Sequence, residues 1–481
     1  MVLSSFFEVK LDHHKKEHLY VQLYRVIKAK IISGEILANE KLPPIRSYAK
    51  NLGVNNVTIV NAYKLLEQHA LVYKKIGSGT YVRSQSDHVS HSMRAIQGHL
   101  EVTAGINMAS TTPSDYLFPV EDFKLSLNVV LDRDKGSAFG YQDSRGYEPL
   151  REVIVEDLKR LYGIESVVDS VQILSGAQQG LDVVAKALVQ YGDTVIVEAP
   201  TYTGAVATFR SRGARILELP MESDGPNIMK LREFLYQYRP KLLYIMPNFQ
   251  NPTGIVYSTE KREALLALST KHQLVIIEDD YCSELSFCLD DLAPIKSLDY
   301  HENVIYIKSF SKALMPGLRL GYMITPERLR QQVMLAKQST DIVTSGLTQR
   351  AFEHFITSGA FIDQKRRMYD AFKVRYFIAK EAIEFYLHEL CSWGELKGGL
   401  HFWIRIETGV TSKYLYEALK KRGVLIASGD VFFATKVDSP YFRLSIAGVD
   451  NGDLVYGIRS IADTLSAGFD SHEKASYQML L

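Results

Sequence analysis

Apolar residues near the N-terminus recur every three or four positions, in three separate runs. Leu19, Leu23, Val26, Ile27 and Ile31 share one face of a helix over 19–32, which Gly34 stops. Pro43-Pro44 opens a short helix at about 45–52, with Ile45, Tyr48, Ala49 and Leu52 on one side. Gly53 turns the chain into a third helix at about 56–69, whose inward stripe is Ile59, Ala62, Tyr63 and Leu66. Two short strands follow at about 71–76 and 79–83, joined by Gly77-Ser78-Gly79. Three helices and a glycine-tipped hairpin predict a winged helix-turn-helix. Residues 84–105 hold several serines and histidines and few large apolar side chains, so they are read as a linker.

From about residue 106 the pattern changes. Short β-branched runs at 171–174, 194–198, 215–219, 242–246, 274–278, 303–308 and 321–324 alternate with helical stretches such as 177–190, 203–212 and 260–272. Such runs predict a buried parallel sheet with helices on both faces. After about 345, long helices appear with strands near 400–405, 423–427 and 441–446. The expected fold class is α/β: a head at 1–85, a linker at 86–105 and a body at 106–481. The body divides into a mostly parallel large lobe at about 120–340 and an α+β small lobe at about 345–481.

Composition narrows this picture. With 481 residues, 46% hydrophobic and 23% charged, the chain is neither a disordered polymer nor a small disulfide scaffold. No apolar run is long enough to span a membrane, and charged residues at Glu8, Lys10 and Asp12 leave no secretory leader expected. Cys282, Cys288 and Cys391 form no paired motif, so neither a disulfide framework nor a bound metal is expected. These features point to the cytoplasm. The net charge of +1 hides an asymmetry: residues 1–85 hold 13 basic and 6 acidic residues, net +7, leaving −6 for the remainder. A basic head implies a polyanionic partner.

In a helix-turn-helix the N-terminal part of the second helix meets the bases. Here that is Asn55, Asn56, Val57, Thr58, Val60 and Asn61, all off the buried stripe. Asparagine can pair with adenine and valine can meet a thymine methyl. Arg46 is placed for a phosphate. Lys74 and Lys75 flank a wing whose Gly77 and Gly79 allow close backbone approach.

In the body, chemistry-bearing residues fall at strand ends, where doubly wound sheets bind ligands. Ser175-Gly176-Ala177-Gln178 opens a helix and offers amides to an anion. The other strand ends carry Pro200-Thr201-Tyr202, Asn248 with Asn251-Pro252-Thr253-Gly254, Asp279 with Tyr281, and Ser309-Phe310-Ser311-Lys312 followed by Arg319. One cofactor uses them all. Its phosphate needs the helix start, hydroxyls and an arginine; its ring needs the Tyr202 face. Its pyridine nitrogen needs the Asp279 carboxylate, its phenolate needs Asn251 and Tyr281, and its aldehyde needs Lys312. That cofactor is pyridoxal phosphate.

The head resembles the GntR-type DNA-binding domain through L-P-P-I-R (42–46), L-G-V-N-N (52–56), A-Y-K-L-L-E (62–67) and G-S-G-T-Y-V (77–82). Asn55-Asn56 stands where that family often has Ser-Arg, so no operator sequence carries over. The body resembles fold-type I aminotransferases of class I. The matching motifs are F-G-Y-Q-D-S-R-G-Y-E-P-L-R (139–151), S-G-A-Q-Q-G-L-D (175–182), E-A-P-T-Y (198–202), N-P-T-G (251–254), E-D-D-Y (278–281), S-F-S-K (309–312), G-L-R-L-G-Y (317–322) and Y-F-R-L-S (441–445). That resemblance implies that Lys312 is the Schiff-base lysine and that Asp279 holds the pyridinium. It gives Tyr281 and Asn251 the ring oxygen, Tyr202 the ring face, and Ala177, Gln178, Ser309, Ser311 and Arg319 the phosphate. Tyr141 would reach the partner subunit's phosphate, and Arg443 would clamp an amino-acid carboxylate.

Together the halves resemble the MocR family of bacterial regulators. The family implies a homodimer, with each head over the partner's body, that binds DNA and senses pyridoxal phosphate or its adduct with an amino compound. A working aminotransferase with a DNA-binding appendage is the alternative, and a body serving only as a dimerisation scaffold is the third. The full set of candidate site residues speaks against the scaffold.

Overall fold

The computed structural model describes residues 9, 11–12, 18–32, 35–37, 40–68, 71–75, 78–82, 105–288, 292–312, 314–395, 397–435 and 437–478. Gly77 and the linker as far as residue 104 lie outside them. The chain forms two compact units, Met1–Thr103 and Ala104–Leu481.

In the first unit, helices α1 (Leu19–Ile32), α2 (Ile45–Leu52) and α3 (Asn56–Gln68) precede an antiparallel hairpin of β1 (Val72–Lys75) and β2 (Gly79–Val82). Leu23 and Ile27 of α1, Tyr48 of α2 and Ile59, Ala62 and Leu66 of α3 are fully buried around one core. Burying each large aliphatic side chain contributes roughly 1.5–3 kcal/mol. Gly53 ends α2 in the left-handed region at φ 63°, which a glycine adopts without a Cβ clash. The buried Tyr63 hydroxyl donates to Pro43 O at 2.8 Å, fixing the entry to α2 against α3. The backbone of residues 40–42 also bonds β2, through Leu42 N to Thr80 O and Val82 N to Glu40 O, each 2.8 Å. This third run beside the hairpin has no alternating pattern in sequence.

The body begins with β3 (Ile106–Asn107). Its large lobe holds β4 (Val171–Leu174), β5 (Thr194–Ala199), β6 (Arg215–Glu222), β7 (Gly225–Pro226), β8 (Leu242–Ile245), β9 (Val275–Asp280), β10 (Val304–Ser309) and β11 (Gly321–Ile324). They form one sheet in the order β4-β11-β10-β9-β8-β5-β6-β7. Strands β4, β8, β9, β10 and β11 are buried at every position, as expected where helices cover both faces. One detail departs from the sequence expectation: β11 runs antiparallel to both β10 and β4. Between β10 and β11 the described residues form the 3-10 turn Pro316–Leu318 and no crossover helix, so the chain returns antiparallel.

The small lobe has β12 (Cys391–Trp393), β13 (His401–Ile406), β14 (Val424–Leu425), β15 (Ala427–Ser428) and β16 (Tyr441–Ser445). Its antiparallel sheet runs β12-β13-β16-β15, while β14 pairs in parallel with β3. The strand expected at 423–427 is therefore two, joined to different partners. Phe402, Ile404, Phe442 and Leu444 enter the core beside the helix Ala360–Leu387. Alternation then places His401, Trp403 and Arg405 with Tyr441, Arg443 and Ser445 on the opposite face. No helix among the described residues is long and apolar enough to cross a membrane. All three cysteines are free.

Candidate functional site

Sheet order explains why residues far apart in sequence meet. Strands β4, β11, β10, β9, β8 and β5 are consecutive neighbours, and each contributes residues at or next to one end. At the first, Gly176 caps the helix Ala177–Leu188 with φ 87°. The amides of Gln179 and Gly180 close on Gly176 O, which leaves those of Ala177 and Gln178 as the first-turn donors. Arg319, just before β11, donates from Nη2 to Ser175 O at 2.9 Å. A Cβ at Gly176 would lie 2.5 Å from that nitrogen, so the guanidinium packs where only glycine leaves room. Ser309 closes β10; its Oγ donates to Ser311 Oγ at 3.0 Å and accepts from Ser311 N at 3.2 Å. Amides, hydroxyls and a guanidinium from three turns make a cradle for an anion.

Two consecutive carboxylates in β9 have separate surroundings, because successive side chains leave a strand on opposite faces. Asp280 is buried with the Lys308 ammonium at 2.9 Å and the Tyr306 hydroxyl at 2.6 Å. Asp279 accepts only from the Tyr244 hydroxyl, at 2.7 Å on Oδ2, and its buried Oδ1 has no partner. Burial, partly offset by Tyr244, pushes the Asp279 carboxyl up to about 6. Tyr281 donates to Phe249 O at 2.5 Å, and its ring stacks on His401 with centroids 5.9 Å apart. Tyr202, after β5, donates to Gln178 Oε1 at 3.1 Å.

Lys312 Nζ donates to Thr111 O at 2.7 Å and Thr111 Oγ1 at 2.8 Å. Burial, with Arg443 and Arg319 adding to it, pushes its pKa down to about 8. Arg443 on β16 donates from Nη1 to Asn251 Oδ1 at 2.8 Å and from Nη2 to Ala109 O at 2.7 Å. Its guanidinium lies 4.9 Å from the Phe432 ring centroid, and its Nε is buried without an acceptor. Burial lowers its pKa to about 10, which leaves it cationic at neutral pH.

The head presents its own surface. Arg46, Asn55, Asn56 and Val57 are exposed, with Val57 at 59% and Val60 at 44%. Thr58 and Asn61 are half-buried. Asn55 has a structural task, since its Oδ1 accepts from Val57 N at 3.0 Å as α3 starts. Lys74 pairs with Glu67 at 2.5 Å. Gly79 has φ 125°, and a Cβ there would come within 2.8 Å of Lys41 Cε.

Residues 19–82 match the family described as bacterial regulatory proteins, gntR family, and residues 106–461 match aminotransferase class I and II. Across both halves the chain is similar to the uncharacterized HTH-type transcriptional regulator YdfD of Bacillus subtilis (strain 168). The two are 34% identical, over 92% of this chain and 95% of that protein. It is also similar to the probable rhizopine catabolism regulatory protein MocR of Rhizobium meliloti, at 27% identity over 95% and 96% of the two chains. The chain belongs to the MocR family of GntR-type regulators. The body of this MocR-family chain is similar to solved LysN, an alpha-aminoadipate aminotransferase of Thermus thermophilus complexed with N-(5'-phosphopyridoxyl)-L-leucine. That likeness has a TM-score of 0.71 and 31% identity, covering 76% of this chain and 93% of that one. The aminotransferase fold family to which the body belongs is pyridoxal-phosphate dependent, and the head is a DNA-binding domain of gntR type.

Of the body residues singled out in sequence, Lys312, Asn251, Asp279, Tyr281, Tyr202, Ala177, Gln178, Ser309, Ser311 and Arg319 lie at or shortly beyond these adjoining strand ends, and Arg443 reaches Asn251 from the middle of β16 in the small-lobe sheet. Tyr141 does not join them within one chain; it stands 88% exposed. Sequence reading missed Tyr244, Thr111, Ala109, Phe432 and His401. Tyr244 left one trace, a hydroxyl-bearing residue in the otherwise aliphatic run of β8. Ala109 left none, because it acts through its main-chain carbonyl.

Proposed function

We propose that this regulator binds pyridoxal phosphate on Lys312 and responds to it, or to an amino compound joined to it, by changing its action on DNA. In this reading residues 1–85 bind DNA, 86–105 tether the halves and 106–481 sense. The observation that carries it is the unpartnered, buried Asp279 Oδ1 in a site that also offers a depressed lysine and an open helix start. A protonated ring nitrogen fits that oxygen. A phosphate fits the amides of Ala177 and Gln178 with Ser309, Ser311 and Arg319. Asn251 and Tyr281 would hold the ring oxygen, and Tyr202 would lie against the ring. When bound, the cofactor supplies an aldehyde that links amines covalently and a ring that withdraws electrons.

The chain's own groups do the rest. Lys312 is neutral far more often than an ordinary lysine and so is ready to attack an aldehyde. Arg443 offers a two-point fork to a carboxylate. The homodimer is supported by exposed apolar side chains at Leu125, Val129, Phe139 and Tyr141, a surface suited to a second copy whose site Tyr141 would complete. In the head, Arg46 would hold a phosphate; Asn55, Asn56, Val57, Thr58 and Asn61 would meet the groove, with Gly77 and Gly79 in the wing. A regulator acting on DNA in this way would work in the cytoplasm.

A second reading, a working aminotransferase, is favoured by the same complete set of groups and by the likeness to LysN. Hydride reduction of the purified protein, digestion and mass analysis should find a pyridoxyl group on Lys312; a label on another lysine overturns the site. Incubation with amino acids and keto acids then separates the readings. Stoichiometric spectral change without turnover supports sensing, and sustained turnover supports the enzyme.

A further inference from the structure

His401 opens β13 and is 2% exposed, yet neither of its ring nitrogens has a hydrogen-bond partner. A neutral imidazole carries one donor and one acceptor, and leaving both unmet in a buried place is costly. Packing alone does not call for them. A phenyl ring would stack on Tyr281 as well, and the core side of β13 is already filled by Phe402 and Ile404. Burial, reinforced by the charges of Arg443 and Lys312 and only partly offset by the nearby Leu400 main chain, which is not in hydrogen-bonding geometry, pushes the His401 pKa well below the usual histidine range, so the ring stays neutral.

The register of the small sheet gives the unmet donor a direction. His401 lies opposite Ser445, and Arg443 is two residues along the same strand, so both side chains leave one face as diagonal neighbours. Arg443 also keeps a buried Nε–H without an acceptor. Unpartnered groups at diagonal positions on one face, one neutral and one cationic, suit an anion with two oxygens. The charged groups around the imidazole are those of Arg443 and Lys312, with no carboxylate among the groups that shift its pKa. From this geometry we infer that His401 donates to the carboxylate of the bound amino compound, beside Arg443. His401 thereby makes the site select amino acids over plain amines. The inference rests on the reading of Lys312 as the cofactor lysine.

The test uses the full-length, cofactor-loaded protein and two variants. His401→Phe keeps a ring on Tyr281 but has no donor; His401→Asn keeps a donor in less space. Each protein is titrated with glycine, L-alanine and β-alanine, and with methylamine and ethylamine, following the cofactor's absorbance. His401→Phe is expected to lose at least about ten-fold in apparent affinity for the amino acids and less than about two-fold for the amines. His401→Asn should recover part of the loss. The unperturbed absorbance band before titration confirms that each variant is folded and loaded. Equal weakening of amino acids and amines, or unchanged affinity for both, overturns the role of His401. A wild-type protein that takes up no cofactor overturns the underlying reading instead.

Discussion

Lys312 is the residue whose surroundings alter its chemistry most directly. With a pKa near 8 in place of the ordinary 10.4, its neutral fraction at pH 7 rises roughly two hundred-fold. Only the neutral amine attacks an aldehyde. Mixing apo-protein with pyridoxal phosphate should therefore give an attachment rate that rises with pH and levels off just above 8. A rate still climbing at pH 10 would mean that Lys312 is an ordinary surface amine. Asp279 works on the ring rather than the link. Removing a carboxylate beside a cation lowers that cation's pKa by about 1–3 units. Asp279→Asn should accordingly slow the reaction of bound cofactor with added amines by about ten-fold or more, while retained cofactor changes little; stopped-flow absorbance reads the first and bound stoichiometry the second. Both residues stood out in sequence because five strand ends carry mutually compatible chemistry; a lone lysine or aspartate at a strand end is more often a surface or turn residue. Thr111 and Ala109, which hold Lys312 and Arg443, were not legible. They act largely through carbonyl oxygens, which every residue possesses.

At the scale of elements, periodicity carried most of the information. The helices of the head and the main strands of the large lobe fall within a few residues of their sequence positions, because each head helix buries one face against one core and the central strands bury alternate residues in clusters on the two sides of the sheet. Direction and partnering were less legible. Nothing in Gly321–Ile324 distinguishes an antiparallel strand from its parallel neighbours; only the missing crossover helix does so. The division between β14 and β15 depends on which partner each finds. The recognition helix α3 lends itself to a discriminating test. Phosphate contacts release counterions, so binding should weaken steeply as salt rises. Arg46→Ala should weaken operator and random DNA alike. Asn56→Ala or Val57→Ala should instead change discrimination at individual base pairs, with a good asparagine–adenine pair worth about 1–3 kcal/mol. Equal losses on operator and random DNA in a binding titration would remove Asn56 and Val57 from the reading surface.

For the whole molecule, a ligand can shift the regulator between states only by the difference in its affinity for them. Arg443→Ala should keep cofactor on Lys312 and keep operator binding, yet lose the response to a carboxylate-bearing effector. Operator affinity and promoter output, each with and without effector, measure this; a full response in the variant would mean that the effector's carboxylate is held elsewhere. The route by which the chain enters the body gives this a mechanical side. Ile106 N bonds Gly423 O, Met108 N bonds Leu425 O and Ser445 N bonds Met108 O, each at 2.8 Å. The first strand of the body is thus bonded to the small lobe, in part to the strand that carries Arg443. One residue further on, Ala109 gives its carbonyl to that arginine, and Thr111 gives its oxygens to Lys312. A carboxylate on Arg443 and a cofactor on Lys312 compete for those same donors. Each molecule that occupied the site would therefore release bonds that now fix residues 109 and 111 beside the small lobe.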